Sequence, residues 1–127
     1  ARQRRIFRSQ GGNPIAFVRI MYWKEIPVSI QANHDSEMIS HPLDARFQEG
    51  VDAIAMFDGS VGTDDYLMAW ELKDYGEVDA RPKEAAAAIA QRFNEGFPDD
   101  FVSRIRDLER AGERDTTPGA IDDWLND

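Results

Sequence analysis

Residues 15–33 read Ile-Ala-Phe-Val-Arg-Ile-Met-Tyr-Trp-Lys-Glu-Ile-Pro-Val-Ser-Ile-Gln-Ala-Asn, and the fold class turns on them. Within residues 15–23 only Arg19 is charged. A short run this rich in β-branched and aromatic side chains reads as a strand buried on both faces. Residues 24–27 form a connection. Val28, Ile30 and Ala32 then alternate with Ser29, Gln31 and Asn33, the pattern of a half-exposed strand. Asn33-His34-Asp35-Ser36 is turn chemistry, and residues 37–40 make a short third strand.

Helical periodicity takes over further along the chain. Pro42 suits a first-turn position, where its missing N–H leaves nothing unpaired. Phe47, Val51, Ile54 and Ala55 fall on one face of a helix over residues 42–57, with Gly50 a weak point in its middle and Gly59 its left-handed stop. Residues 66–73 alternate through Tyr66, Met68, Trp70 and Leu72 and are read as a strand, with a short helix capped by Thr63 as the alternative. Four consecutive alanines, residues 85–88, mark a helix over residues 82–93 whose face is Ala85, Ala88, Ile89 and Phe93. A last long helix over residues 100–111 carries the stripe Phe101, Val102, Ile105 and Leu108 and stops at Gly112. The order predicts an α+β domain: a small, mostly antiparallel sheet with helices packed on one face, plus a C-terminal helical extension.

Both ends differ from this body. Residues 1–14 form an arm holding Arg2, Arg4, Arg5 and Arg8 and no acid, with Ile6 and Phe7 its apolar side chains. Residues 15–98 are the expected α+β domain, and residues 99–127 the final helix and an acidic tail. In the tail, Ile121, Trp124 and Leu125 recur at i, i+3, i+4, so one helical turn can dock in a groove, on a partner or on the same domain. The chain has 127 residues, no cysteine and a net charge of −9. No disulfide, thiolate metal site or cysteine nucleophile can exist here, and the cytoplasm is the expected location. The acidic body should repel nucleic acid and anionic lipid. No apolar run is long enough to span a membrane.

Three stretches carry a resemblance: Arg19-Ile-Met-Tyr-Trp-Lys-Glu-Ile-Pro27, Arg46-Phe-Gln-Glu-Gly-Val-Asp52 and Gly62-Thr-Asp-Asp-Tyr-Leu67. In this order they resemble the bacterial "virulence factor" domain family over residues 16–98. Trp70 matches the tryptophan that ends the third family segment. Arg81 stands where the family usually has a serine before the proline of the last helix. The resemblance implies a fold more than a reaction. It also implies an accessory role, since small members tend to occur beside one-carbon enzymes of the folate and corrinoid type.

No recognisable catalytic constellation emerges. There is no nucleophile elbow and no phosphate loop. The acidic pairs Asp64-Asp65, Asp99-Asp100 and Asp122-Asp123 are consecutive, so their side chains diverge. His34, Asp35, Glu37 and His41 are zinc-type donors, but their spacing fits no standard motif, and a solvated turn accounts for them. No cofactor is expected; a metal, if held, would fall to His34, Glu37 and His41. Arg46, Gln48 and Asp52, with Gln48 and Asp52 on one helix face, and the aromatic and basic residues Trp23, Lys24, Tyr66 and Trp70 are candidates for a ligand or interface surface. For Asp52 a pairing with Arg19 is one expectation.

The leading functional expectation is a non-enzymatic accessory or adaptor protein within a larger complex. It would bind its protein partner through its ends: Arg2, Arg4, Arg5, Phe7 and Arg8 in the arm, and Ile121, Trp124 and Leu125 in the tail. An auxiliary subunit of a one-carbon enzyme is the first alternative, and a small metal-dependent enzyme the second.

Overall fold

The computed structural model describes residues 14–126; the arm residues Arg2, Arg4, Arg5, Phe7 and Arg8 lie outside them. Three strands come first: β1 (Ala16–Trp23), β2 (Ile26–His34) and β3 (Glu37–Pro42). Helices α1 (Ala45–Asp58) and α2 (Asp64–Met68) follow, then β4 (Trp70–Val78), α3 (Pro82–Gly96), α4 (Phe101–Ala111) and a 3₁₀ helix, Asp122–Asn126. The sheet order is β3-β2-β1-β4 with every neighbouring pair antiparallel. The α+β expectation holds.

β1 is central, but only one of its faces is fully buried. Ala16, Val18, Ile20 and Tyr22 point into the core, while Phe17, Arg19 and Met21 on the opposite face are half-buried. In register with the buried set, Ile30 pairs with Ile20 and Ala32 with Val18. The α3 face against the sheet is built from Ala85, Ala86, Ile89, Ala90 and Phe93. Small side chains let the helix backbone approach the strands closely. Ala86 takes the buried place expected of Ala88, which is exposed.

Several boundaries move for identifiable reasons. The first hairpin connection shrinks to Lys24 and Glu25, because Ile26 and Pro27 already pair with Trp23 and Tyr22. Pro42 ends β3 instead of opening α1. β3 is an edge strand, where a missing N–H costs no ladder bond, and Leu43 N–H then bonds to the Val28 carbonyl at 2.9 Å. The expected strand over residues 66–73 splits. Tyr66 and Met68 belong to α2, and the strand starts at Trp70 and runs on to Val78. Thr63 precedes α2 in extended conformation, but its hydroxyl donates to the Ser60 carbonyl at 2.7 Å instead of capping the helix. The far half of β4, Asp74 to Val78, is a charged edge strand whose side chains give no alternating apolar signal.

Gly50 is the close approach between α1 and α4. A Cβ there would stand 2.6 and 2.8 Å from Cζ and Cε1 of Phe101. The Phe101 ring cannot swing aside, since it stacks on Phe47 at 5.3 Å and meets Phe97 edge-on at 5.9 Å. The residue that weakens the helix by propensity therefore seats the next helix. Alanine is the better helix former by about 1 kcal/mol, whereas overpacking a core costs about 1–3 kcal/mol. Gly50→Ala should lower stability by roughly 1 kcal/mol net. Urea unfolding measures this, and a stabilised variant would refute the packing account.

Candidate functional site

The β1–β2 turn places two charged side chains where the sheet meets α1. Lys24 takes a positive φ of 51°, rare for a residue with a side chain, and its N–H bonds to the Ala69 carbonyl at 3.2 Å. Glu25, at a hairpin tip where exposure is usual, is completely buried. Its carboxylate receives a two-pronged guanidinium: Arg114 Nε donates to Oε2 at 2.7 Å and Nη2 to Oε1 at 2.9 Å. Arg114 Nη1 donates to Asp58 Oδ2 at 2.9 Å and to Glu109 Oε1 at 3.0 Å. Lys24 Nζ reaches the same Asp58 oxygen at 2.8 Å. The other oxygen of Asp58 accepts from the Ser60 amide at 3.0 Å and from the Ser60 hydroxyl.

Two cations, the half-buried Lys24 and the buried Arg114 side chain, face the buried carboxylates of Glu25 and Asp58; Glu109 closes the cluster from the exposed side. Burial by itself would raise the Asp58 pKa. Hydrogen bonds from Lys24, Ser60 and Arg114 outweigh it and hold the carboxyl at about 2, below its ordinary 3.8. Burial likewise works against the charged form of Arg114, but the Glu25 carboxylate overcomes it and the net shift is upward.

A second polar pin fixes the tail. Tyr22 donates its hydroxyl to Asp122 Oδ2 at 2.5 Å. Burial raises the Asp122 pKa, opposed by that hydrogen bond and by the fields of Lys73 and Arg92. Lys73 Nζ also donates to the Pro118 carbonyl at 3.1 Å. Ile121 and Leu125 are buried in the same core as the sheet residues, and the guanidinium of Arg104 lies 5.3 Å from the Trp124 ring centre. Of the three tail residues expected to meet a partner, two are thus packed on the chain's own domain, and Trp124 keeps partial exposure.

The remaining candidates fall into different places. Arg46 is a helix cap: its guanidinium donates to the carbonyls of Asn94, Phe97 and Pro98 at 2.9, 3.0 and 3.1 Å, closing the end of α3. Gln48 donates to Asp52 at 3.2 Å on an exposed surface, and Arg46 does not join them. The expected partner of Asp52, Arg19, lies beside Asp74 instead, at 3.3 Å on β4. Trp23 is fully buried and donates its indole N–H to the Tyr66 carbonyl at 3.0 Å. Tyr66 packs 5.6 Å from Trp23 and 6.2 Å from Trp70, so these aromatics form a wall under α2, not an open platform. In the second hairpin, His34 Nδ1 lies 3.0 Å from the Ile15 carbonyl and His41 Nδ1 lies 3.0 Å from that of Pro42. His34, Glu37 and His41 do not converge, and among the described residues no group of three acidic or histidine side chains could hold a metal ion.

Three members of the cluster, Glu25, Asp58 and Arg114, were not among the sequence candidates, and Glu25 stood only as part of the hairpin connection. Asp58 carries one local signal: an acid in the last turn of a helix opposes the helix dipole, which favours cations there. Arg114 carries none, since Glu113-Arg114-Asp115 looks like any solvated tail. Beside the cluster an open cleft of about 320 Å³ is lined by Lys24, Asp65, Met68, Glu71 and Pro118, among others. No helix among the described residues is long and apolar enough to cross a membrane. A family model described as "Virulence factor" matches residues 21–105, two thirds of the chain, covering the first of the three segments from Met21 onward and the other two whole, and ending before Arg114. No curated protein and no solved structure matches the chain.

Removing one partner of a buried ion pair costs about 3–5 kcal/mol, because the other charge stays buried. Arg114→Met should therefore lose stability on that scale in denaturant titration, far more than a surface arginine such as Arg110. The depressed Asp58 pKa sets a pH window as well. The carboxylate's contribution is complete above its ordinary value of 3.8 and disappears as pH falls through about 2. Asp58→Asn should flatten that part of the acid-unfolding curve; an unchanged curve would count against the cluster.

Proposed function

The chain belongs to the virulence factor family, and from that premise we propose that it is a non-enzymatic accessory or adaptor subunit that docks on a larger protein. One observation carries the reading. Among the described residues, the large apolar side chains left exposed are Met38, Met56, Phe57, Val61, Leu67, Met68, Leu72 and Tyr75, and five of these eight fall within residues 56–68. That segment is the last turn of α1, a loop and α2, a helix with no buried residue. Met56, Leu67 and Met68 are 74, 70 and 81 % exposed. Exposed large apolar side chains grouped along one segment favour an interaction site there, and methionine adapts well to a partner groove.

The docking surface is thus shifted from the tail to the α1–α2 segment. Ile121 and Leu125 serve the domain's own core, which leaves Trp124 and the basic arm (Arg2, Arg4, Arg5, Phe7 and Arg8) as secondary contacts. The arrangement around the segment also supports docking. Asp58 and Ser60 anchor its first half through the ionic cluster, and Tyr66 anchors its second half on Trp23. In native cell extract the chain should run in a particle larger than its own 14.4 kDa. A Leu67→Glu, Met68→Glu double variant should run as monomer while keeping its circular dichroism and melting temperature. Wild-type protein running as free monomer would sink the reading.

A further inference from the structure

Arg114 is a lone buried side chain in an exposed stretch. Residues 113–116 form neither helix nor strand, and Glu113, Asp115, Thr116 and Thr117 are exposed. The Arg114 side chain is only 4 % exposed. Its receptor belongs to another part of the chain. Glu25 and Asp58, with Lys24 and Ser60 holding Asp58 in place, all lie within residues 24–60 and inside the family match; the guanidinium comes from outside it. The bonds that Lys24 and Ser60 make to Asp58 do not involve the tail, so this side of the receptor is built in advance.

We propose that Glu25 and Asp58 form an arginine-binding site of the domain, that Arg114 fills it in cis, and that an arginine side chain of the docking partner displaces Arg114 from it. The proposal rests on the docking reading above and names the partner's chemistry. The site is shaped for a guanidinium. Nε and Nη2 both engage Glu25 while Nη1 turns to Asp58 and, at the rim, to Glu109 of α4, which lies outside the family match. A planar fork satisfies two carboxylates in this way, and a lysine ammonium, a single point of charge, does not. A cleft that shares Lys24 with the cluster lies beside it. Asp65 and Glu71 outnumber Lys24 in its lining, and Met68 and Pro118 give an apolar wall for an aliphatic stem.

Exchange replaces one guanidinium by another in the same hydrogen bonds. What the incoming group must overcome is the effective concentration of the tethered Arg114. Freeing that residue does not free the tail, which stays attached through Ile121, Leu125 and the Tyr22–Asp122 bond.

The test uses the purified full chain with N-acetyl-arginine amide and N-acetyl-lysine amide as probes. Arg114→Ala should bind the arginine probe saturably, with a preference of roughly tenfold or more over lysine, and should lose that binding when Glu25→Gln is added. Wild type should bind it more weakly, with faster hydrogen exchange confined to residues 113–117. A folded Arg114→Ala that binds neither probe, or both equally, overturns the proposal. If Arg114→Ala does not fold, the wild-type exchange measurement decides: no arginine-specific acceleration at any soluble concentration overturns it. With no partner present, failure here leaves the docking reading intact, and a monomeric particle in extract with arginine binding retained defeats docking alone.

Discussion

Two carboxylates, Glu25 and Asp58, are buried at one end of the sheet, and the rest of this structure answers to them. An ionised carboxyl leaves water only when cations and hydrogen-bond donors replace its hydration. Here the replacements come from three separate parts of the chain: Lys24 in the first hairpin, Ser60 after α1, and Arg114 beyond α4. The requirement therefore fixes where the hairpin, the end of α1 and the tail meet. Such a cluster adds less net stability than its bond lengths suggest, because desolvation offsets most of the attraction. The tail matters most to Glu25: without Arg114 the fully buried carboxylate loses the guanidinium that both its oxygens accept from.

The apolar framework was largely legible in the sequence. The alternation in residues 28–33, the stripe Phe47–Val51–Ile54–Ala55 and the glycine stops at 59 and 112 all report burial or backbone geometry that a local pattern encodes; both glycines take left-handed φ, 83° and 71°. The second half of β4 was not legible, since an edge strand with exposed faces needs no apolar alternation. α2 was misread because Tyr66 and Met68 alternate by coincidence, while a long-range contact, the Trp23 indole on the Tyr66 carbonyl, secures the helix. The site was least legible of all. The partners of Glu25 and Arg114 stand 89 residues apart, and no periodicity records such a contact.

The tail is held by contacts of opposite electrostatic sign. At Asp58 the surroundings favour the charged carboxylate, so acid weakens that side of the cluster. At Asp122 burial disfavours the charge, so protonation relieves a cost there. Apolar burial of Ile121 and Leu125 is indifferent to both. Leu125 in turn depends on Gly96, where a Cβ would lie 2.3 Å from the Leu125 carbonyl oxygen. The tail is thus an integral layer of the domain, joined by fit as well as by charge.

This anchoring bears on how an exposed segment can serve recognition. A short helix with no buried residue is marginal by itself, and a mobile apolar loop would pay an ordering cost on binding. α2 avoids both because its two flanks are fixed from below. Asp58 and Ser60 tie the loop before it to the ionic cluster, and the Tyr66 carbonyl and ring tie the helix itself to Trp23. Leu67 and Met68 are left pointing outward from a backbone already ordered. The buried charges thus hold the loop before α2, and the Trp23–Tyr66 contacts hold the helix that displays Leu67 and Met68.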